Sequence, residues 1–299
     1  MSISVGGTRS AAGQLAGALE PVAGQVHFSP ECNVEYEKLG FDPSPGMVGR
    51  TQVPDRAAYL TSRGSGLGQV PGEVVAAAFG VFNPDTVIPA VTHGWTLTDA
   101  VTIREARERG AVAQLRRILG DTKAQYGRAA DLILRAMEPL RLEGKPLFAG
   151  RRSLPLPEEP LHRMWRAADT LREYRGDSHI LAWVGAGLDP VEVGLLGDVF
   201  WGLPLGAHTG GRGWTPEQLA EGAERLRSRG LLNADDSLTP AGFDLRAGIE
   251  ADTDRHVAPA LAVLGDDLTE LVALLNPWGE QIKAAGGYLT PEVRFTWQG

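Results

Sequence analysis

Apolar residues recur every three or four positions in most segments of this chain, a spacing typical of amphipathic helices. One long example runs from about Thr98 to Leu119, and another runs from His162 to Tyr174. Pro, Gly and capping residues separate such segments, and Asp55 and Thr215 stand where N-caps belong. We therefore predict a mainly α-helical protein, with one short strand at Leu238-Thr239.

One polar cluster interrupts the pattern, at Arg175-Gly176-Asp177-Ser178-His179. In a purely structural interpretation, Arg175 ends a helix, Gly176 takes the left-handed C′ conformation and Asp177 caps the next helix. In a functional interpretation, Asp177 or a backbone carbonyl orients His179, whose other ring nitrogen faces a pocket. A histidine held in this way is a usable general acid or base near neutral pH. The two interpretations are compatible, so His179 and Asp177 are the catalytic candidates.

Two parts of the chain match each other at a spacing of 119 residues. Glu73 pairs with Glu192, and Gly94-Trp95-Thr96 pairs with Gly213-Trp214-Thr215 without a gap. We interpret this register as a tandem duplication. The halves would be residues 1–138 and 161–299, joined by a connection at 139–160 in which Arg151-Arg152 forms a solvated turn.

Composition limits the classes of function. The chain has 299 residues and a net charge of −8, which argues against a general nucleic-acid binder because such a protein needs a basic surface. The single cysteine, Cys32, excludes an intrachain disulfide and suits a reducing compartment. The N-terminus lacks a secretory signal, and charges interrupt the most apolar stretch before it reaches membrane-spanning length. We expect a cytoplasmic protein with no membrane partner and no cofactor.

The segment from Trp214 to Leu264 resembles the MarR-type winged helix. The order that carries the resemblance is a helix ending in Arg229-Gly230-Leu231-Leu232, a polar turn, and Leu238-Thr239-Pro240-Ala241-Gly242 opening a long helix. The whole chain is also similar to an actinobacterial group of helix-turn-helix proteins, through Arg175–His179 and Phe28-Ser29-Pro30-Glu31. The resemblance implies tandem winged-helix units, with the wing retained only in the second copy.

The first copy shares the end of the pattern. Leu119-Gly120-Asp121 resembles Leu264-Gly265-Asp266, with no wing sequence before it. In this copy the recognition helix and the following helix would be fused into one. Because MarR proteins are dimers of such units, the resemblance implies a pseudo-dimeric monomer, with a homodimer as the alternative.

The predicted recognition helix, Glu217–Arg229, does not suit DNA. Glu217, Gln218 and Glu221 lie near its N-terminus, where carboxylates favour the helix dipole but repel phosphate. The turn that would form the wing tip carries Asp235 and Asp236 instead of arginine. These residues disfavour DNA as a partner, although the fold favours it, and fold alone is only an analogy for function.

Several further residues are candidates for a ligand site. Glu31 and Glu35 share a helix face if a helix begins at Pro30, and with His27 or His179 they resemble a carboxylate–histidine metal set. The chain has no HExxH or CxxC motif, so we predict no metal, and the alternative is a solvated acidic face. Arg63, four residues after Tyr59, is a candidate for recognising an anion. The complete set of ligand-binding candidates is Arg175, His27, Glu31, Tyr59, Arg63, Trp183 and Phe82.

These features lead to one main hypothesis and one alternative. The main hypothesis is a repurposed MarR-like scaffold that binds a small apolar or aromatic molecule between its halves, with DNA reading lost. Within it, a binding protein and an acid–base enzyme using His179 stay open. The alternative is a MarR-like transcriptional regulator whose ligand controls its affinity for DNA.

Overall fold

The computed structural model describes residues 10–120 and 123–289. These residues form thirteen α-helices and one two-stranded antiparallel sheet, which confirms the prediction of a mainly helical protein. The helices are α1 (Ala11–Gly24), α2 (Pro30–Glu37), α3 (Arg56–Gly64), α4 (Gly72–Phe79), α5 (Pro84–Leu97), α6 (Ala100–Leu119), α7 (Lys123–Met137), α8 (Pro146–Arg152), α9 (Pro160–Gly185), α10 (Pro190–Phe200), α11 (Pro216–Ser228), α12 (Pro240–Leu264) and α13 (Asp267–Ala284). The strands are β1 (Gly46–Val48) and β2 (Thr51–Val53).

Side chains cap the helices that the sequence marks with an N-cap residue. The Asp55 carboxylate accepts the backbone N–H of Ala58 at the start of α3, at 2.8 Å. Thr215 and Gln218 form a reciprocal capping box at the start of α11. Both predicted N-caps are therefore confirmed, and each such cap contributes about 1 kcal/mol to helix stability.

Helix α9 is continuous through the polar cluster, which corrects the predicted helix break. Gly176 lies inside the helix and has no positive φ, and Asp177 is not an N-cap. Tertiary contacts hold this turn in place: the buried Asp177 carboxylate accepts the backbone N–H of Phe148 at 2.9 Å. The favourable burial of this turn outweighs the low helix propensity of one glycine, which is about 1 kcal/mol.

The main hydrophobic core draws on both halves of the sequence. Leu15 of α1, Ile103 of α6, Trp165 of α9 and Leu275 of α13 all lie in it and are at most 1 % exposed. Two smaller cores flank it, one between α10 and α11 and the other between α4 and α5. Helix α9 therefore runs through the middle of the molecule, and its residues reach both the core and the contact between the halves.

The predicted wing is minimal. Between α11 and α12, Leu232 and Leu238 form a single antiparallel β-bridge around a polar turn. The only two-stranded sheet of the described residues, β1–β2, precedes α3 and so does not occupy a wing position. The predicted Leu238-Thr239 strand is thus reduced to one bridge residue.

The matching segments of the two halves agree at one end and differ at the other. Helices α6 and α12 both end at a glycine with positive φ, Gly120 and Gly265; Asp121, which completes the first match, lies outside the described residues. At the other end, Gly94-Trp95-Thr96 lies inside α5, whereas Gly213-Trp214-Thr215 precedes α11. The indole of Trp95 donates to Val70, and that of Trp214 donates across the halves to Val81.

The connection at 139–160 contains α8, and Arg151 on this helix is 2 % exposed. The prediction of a solvated turn at Arg151 is therefore wrong, because its guanidinium pairs with the buried Asp169 at 2.9 Å. In the part of the chain that the structure describes, no single helix is long and apolar enough to cross a membrane. One bent pair, α9 with α10, meets that test by length and composition.

Candidate functional site

A buried network of ion pairs is centred on α9. Arg107 donates from Nη1 and Nη2 to the two oxygens of Asp169, at 2.8 and 3.0 Å. Arg63 donates from Nε and Nη2 to the two oxygens of Glu173, at 3.0 and 2.8 Å. Both carboxylates are fully buried, and Arg151 lies within 3.8 Å of Glu173. Burial raises the pKa of each carboxyl, but the paired arginines outweigh it and hold both pKa values below the ordinary range.

Arg63 is therefore not available as the predicted anion receptor. Its guanidinium is engaged by Glu173 through two hydrogen bonds and lies 4.4 Å from the centre of the Phe79 ring. Burial alone would lower its pKa, but Glu173 outweighs that effect and raises it. A bidentate pair of this kind neutralises the cation on which anion binding would depend.

A second ion pair extends the network towards the contact between the halves. Arg172 binds Glu20 of α1 through its Nε at 3.0 and 2.9 Å, and the Tyr288 hydroxyl donates to the same carboxylate at 2.6 Å. The Glu20 side chain still exposes 38 % of its surface. The network therefore reaches from the core to a place that solvent can enter.

A series of aromatic rings lies in the first half. The His27 ring lies 4.9 Å from the Tyr59 ring, and Tyr59 lies 5.9 Å from Phe82. Phe82 in turn lies 5.8 Å from Phe79. Four predicted ligand residues, His27, Tyr59, Arg63 and Phe82, are thus neighbours in the structure.

His27 is the most deeply placed of these residues. It is 7 % exposed, and its Nε2 has no hydrogen-bond partner among the described residues. Burial, with Arg172 adding to it, lowers the pKa of His27 well below the ordinary value. His27 is therefore neutral at pH 7, and its free nitrogen is a polar atom within an otherwise aromatic wall.

His179 lies on the side of the second half. Its Nδ1 is 3.2 Å from the Thr253 hydroxyl, which donates its own proton to the carbonyl of Ile249 at 2.7 Å. Thr253 can therefore only accept from His179, so Nδ1 carries the proton and Nε2 keeps a lone pair. Burial and the charge of Arg246 lower the pKa of His179 to about 4, so the ring is neutral at pH 7.

Three further residues occupy the contact between the halves. The segment after α10 carries His208 and Arg212, which follow Asp198 on the helix. The charge of Arg212, followed by burial, lowers the pKa of His208 to about 4. Arg212 also contributes to the lowered pKa of His179, and Tyr59 acts on the pKa of Arg212. Arg212 is therefore close to residues from both halves.

We call the region that holds Tyr59, Phe82, His179, His208 and Arg212 the inter-half recess. Each of these side chains keeps part of its surface accessible to solvent. The rings of Tyr59 and Phe82 lie 5.9 Å apart, the Arg212 carbonyl accepts the backbone N–H of Asn83, and the charge of Arg212 acts on both histidines. Burial is the first cause of the lowered pKa values of His179 and Arg212, whereas the pKa of the exposed His208 is lowered first by the charge of Arg212 and then by burial.

Three other predicted site residues lie elsewhere. Asp177 does not contact His179: its carboxylate faces Phe148, and burial raises its pKa to about 7. Thr253 takes the orienting role predicted for Asp177. Arg175 pairs with Glu250 at 2.8 Å, and Glu31 pairs with Arg117 on an exposed face. Neither is free to hold a ligand.

Trp183 is part of the packing between the halves. It is 4 % exposed, and its ring would lie 3.3 Å from a Cβ on Gly80, which has a positive φ of 64°. Glu35 does not line the candidate site either, because it lies on the surface and pairs with Arg109 at 2.8 Å. Among the described residues, no group of three or more His, Cys, Asp or Glu side chains is arranged to hold a metal ion.

Arg212 and His208 were not predicted from the sequence. They are four residues apart in His208-Thr209-Gly210-Gly211-Arg212, where the glycine pair is typical of a turn. The signal that could have identified them is a pair of ionisable residues between apolar neighbours, Leu205 and Trp214. Asp169 and Glu173 carry a similar signal, because two acids four apart share the helix face that buries Trp165.

The surface of α10 and α11 carries mostly paired charges. Arg225 pairs with Asp189 at 2.7 Å, and Arg229 pairs with Glu192 at 2.8 Å. Arg227 pairs with Asp236 and Glu224. The remaining exposed charges of α11, those of Glu217 and Glu221, are acidic.

The N-terminus of α11 also contacts the first half. Asn83 donates to the Gln218 side chain at 3.2 Å and to the carbonyl of Gly213 at 2.9 Å. In DNA-binding helix-turn-helix proteins, this end of the second helix contacts base edges.

Helices α10 and α11 pack against each other, and a β-bridge and the long helix α12 follow them, an order that occurs in helix-turn-helix proteins. A family model described as a helix-turn-helix family matches residues 12–289, and the chain belongs to this family. Neither a search of curated proteins nor a search of solved structures found a match.

Proposed function

We propose that this protein binds a small apolar or aromatic molecule in the inter-half recess and that its helix-turn-helix does not read DNA. The observation that carries the proposal is that partly accessible side chains from both halves come together near Arg212, whose carbonyl accepts the backbone N–H of Asn83. Tyr59 and Phe82 come from the first half, and His179 and Arg212 come from the second. Pockets for small molecules combine apolar walls with a few polar groups in this way.

The charges on α11 support the second part of the proposal. A protein that binds DNA uses unpaired cations to displace counterions from phosphate. Arg225, Arg227 and Arg229 are each engaged by carboxylates, so little positive charge is available to phosphate. The acidic Glu217 and Glu221 would repel it.

An enzymatic form of the proposal gives His179 the role of proton carrier. The observation that favours it is the lone pair on Nε2, which follows from the hydrogen bond between Nδ1 and Thr253. A neutral imidazole with a free basic nitrogen can accept a proton from a bound molecule. Asp177 has no part in this form, since it faces Phe148.

A ligand-responsive transcriptional regulator is the second candidate function, and family membership favours it. DNA binding would require the charged groups of α11 to separate from their acidic partners or a surface elsewhere to supply cations. A ligand in the recess could affect α11, since Asn83 and Gln218 join the first half to the start of this helix.

We also propose that the two halves, 1–138 and 161–299, arose by duplication of a MarR-like unit and form a pseudo-dimer within one chain. The glycines that end α6 and α12 support this proposal. Under this proposal the two copies have diverged at the Gly-Trp-Thr segments, one of which lies inside α5 and the other before α11.

A thermal-shift screen of apolar and aromatic compounds tests ligand binding. We expect hits that raise the Tm of the wild type and of His256→Ala, an exposed histidine outside the recess. We expect His179→Ala to bind them more weakly while keeping its fold. A destabilised His179→Ala that binds normally would assign His179 a structural role only.

A mobility-shift assay at low salt, with the DNA beside the protein's own gene, separates the two candidate functions. The proposal predicts no retardation. A retarded band that weakens steeply as salt is added would contradict the proposal and support the regulator.

A further inference from the structure

We infer that the ligand of the inter-half recess carries an anionic group and that Arg212 binds this group. The inference rests on the proposed function, because it adds a charge to the molecule that the recess holds. The sequence predicts Arg63 as the residue that binds an anion, but Glu173 neutralises Arg63. We assign this role to Arg212, which is not among the residues predicted from the sequence.

The pairing of the other arginines around the recess sets Arg212 apart. Arg63 is bound by Glu173, Arg172 by Glu20, and Arg246 by Glu250 at 2.6 Å. The Arg212 side chain has no hydrogen bond or ion pair to any residue in the described part of the chain. It is only half-buried, so a molecule in the recess can reach it.

Asp198 is the carboxylate whose charge acts most on Arg212, but its oxygens are already used. One oxygen accepts the backbone N–H of His208 at 3.3 Å. The other accepts the backbone N–H and the hydroxyl of Thr209, at 3.2 and 2.7 Å. Asp198 is 3 % exposed, and burial raises its pKa. It therefore closes the turn before Arg212 and does not pair with it.

The backbone holds Arg212 in a fixed place between the halves. Its carbonyl accepts the backbone N–H of Asn83 at 3.0 Å. The next residue, Gly213, has a φ of 85°, and a Cβ there would lie 2.4 Å from the Thr86 hydroxyl. A guanidinium whose backbone is fixed loses less entropy on binding than one on a free surface loop.

The chemistry of the other groups indicates the kind of anion. Arginine binds carboxylates through two parallel hydrogen bonds, and the rings of Tyr59 and Phe82 offer an apolar wall to the rest of the molecule. His179 and His208 are neutral at pH 7, so they add hydrogen-bonding nitrogens without adding a second cation. An aromatic carboxylate suits this combination of a single cation with an aromatic wall.

The test compares two probes that differ only in charge, 2-naphthoate and 2-naphthamide, by isothermal titration calorimetry. We expect the wild type to bind 2-naphthoate at least tenfold more tightly than 2-naphthamide, because the amide lacks the charge that Arg212 binds. In Arg212→Gln, binding of 2-naphthoate should weaken at least tenfold and binding of 2-naphthamide should not change. Arg229→Gln, which alters a paired arginine on the outer surface, should behave as the wild type does.

Arg212→Lys keeps the charge and guards against a folding defect in Arg212→Gln. It should retain a preference for 2-naphthoate, although a smaller one, since lysine cannot bind a carboxylate through a planar pair of donors. In an NMR titration, saturating 2-naphthoate should raise the pKa of His208 from about 4, because a bound anion offsets the charge of Arg212.

The outcomes separate this inference from the proposed function. If the wild type binds both probes equally, this inference is wrong and the proposed function stands. The same conclusion follows if Arg212→Gln keeps the full preference for 2-naphthoate. If the wild type binds neither probe at millimolar concentration, both are wrong. An unchanged pKa of His208 with 2-naphthoate bound would also overturn the assignment of Arg212.

Discussion

The outer surface of α11 and the inter-half recess both carry arginines, but they use them in different ways. On α11, Arg225 and Arg227 pair with exposed carboxylates, and Arg229, directly after this helix, pairs with Glu192 at the edge of the surface. In and beneath the recess, Arg63 and Arg107 pair with carboxylates that no water reaches, and Arg212 has no partner among the described residues. Whether an arginine can bind a partner therefore depends on whether a carboxylate already pairs with it, more than on its position in the helix-turn-helix.

Burial separates the two regions energetically. An exposed ion pair contributes only about 0–1 kcal/mol, because water screens both charges. Removal of one partner from a buried pair costs about 3–5 kcal/mol, because the other charge is left without water or a counter-ion. Substitutions in the two regions should therefore differ several-fold in their effect on the free energy of unfolding.

The largest effect is expected from Asp169→Ala. The substitution leaves Arg107 and Arg151 buried without their carboxylate, which lies 2.8 and 2.9 Å from them. The free energy of unfolding, measured by urea denaturation, should fall by about 3–5 kcal/mol. Glu224→Ala on α11 is the control and should change it by less than about 0.5 kcal/mol. Similar effects from the two variants would refute the distinction between the regions.

The next largest effect on the free energy of unfolding is expected from a substitution at Gly213, directly after Arg212. Gly213→Ala combines a left-handed conformation with a Cβ 2.4 Å from the Thr86 hydroxyl. It should lower the free energy of unfolding by about 2–3 kcal/mol. The same substitution at Gly248, where a Cβ meets no atom within 4 Å, should be neutral or stabilising. If Gly213→Ala were as stable as the wild type, the position of Arg212 would not depend on this turn.

A smaller effect depends on pH. The pKa of His179 in the folded protein is about 4, against an ordinary 6.5, so the unfolded chain takes up a proton first. Acidification from pH 6.5 to 4 should therefore destabilise the wild type more than His179→Asn, by roughly 1–2 kcal/mol after allowance for partial exposure. Asp177, with a raised pKa, acts in the opposite direction in both proteins and cancels in the difference. Parallel stability curves over this range would contradict the burial of His179.

The smallest effect is expected on α11. Arg225→Ala removes an exposed pair with Asp189, whose two side chains are 45 % and 38 % exposed. The free energy of unfolding should fall by less than about 1 kcal/mol. In a mobility-shift assay at low salt, neither the wild type nor Arg225→Ala should retard DNA, because this arginine is engaged by carboxylates. A band that the wild type retards and Arg225→Ala does not would instead place Arg225 in a DNA interface.

The mainly helical class and the ends of several helices were predictable because local patterns specify helices. The caps at Asp55 and Thr215 and the long helix ending at Leu119 follow from residues close in sequence. The break predicted at Gly176 did not occur, because the stabilising partner of Asp177 is Phe148, a residue on another helix. Local sequence cannot reveal such a partner.

The candidate site was predictable only in part, for the same reason. His27, Tyr59, Arg63 and Phe82 do lie together. Whether an arginine is free depends on which carboxylate the fold brings to it, as the contrast between Arg63 and Arg212 shows. Charge balance in a folded interior is a property of tertiary structure, so sequence patterns place the residues but not their partners.

The packing of α1 against α13 has a consequence for the synthesis of the protein. Leu15 and Val22 of α1 share one core with Leu275 and Ile282 of α13, although about 240 residues separate the two helices. At ribosomal rates of about 5–20 residues per second, α1 is made roughly 10–50 seconds before its partner exists. Through that interval the apolar face of α1 lacks its final cover, so a nascent chain stalled before α13 should be a preferred substrate for chaperones.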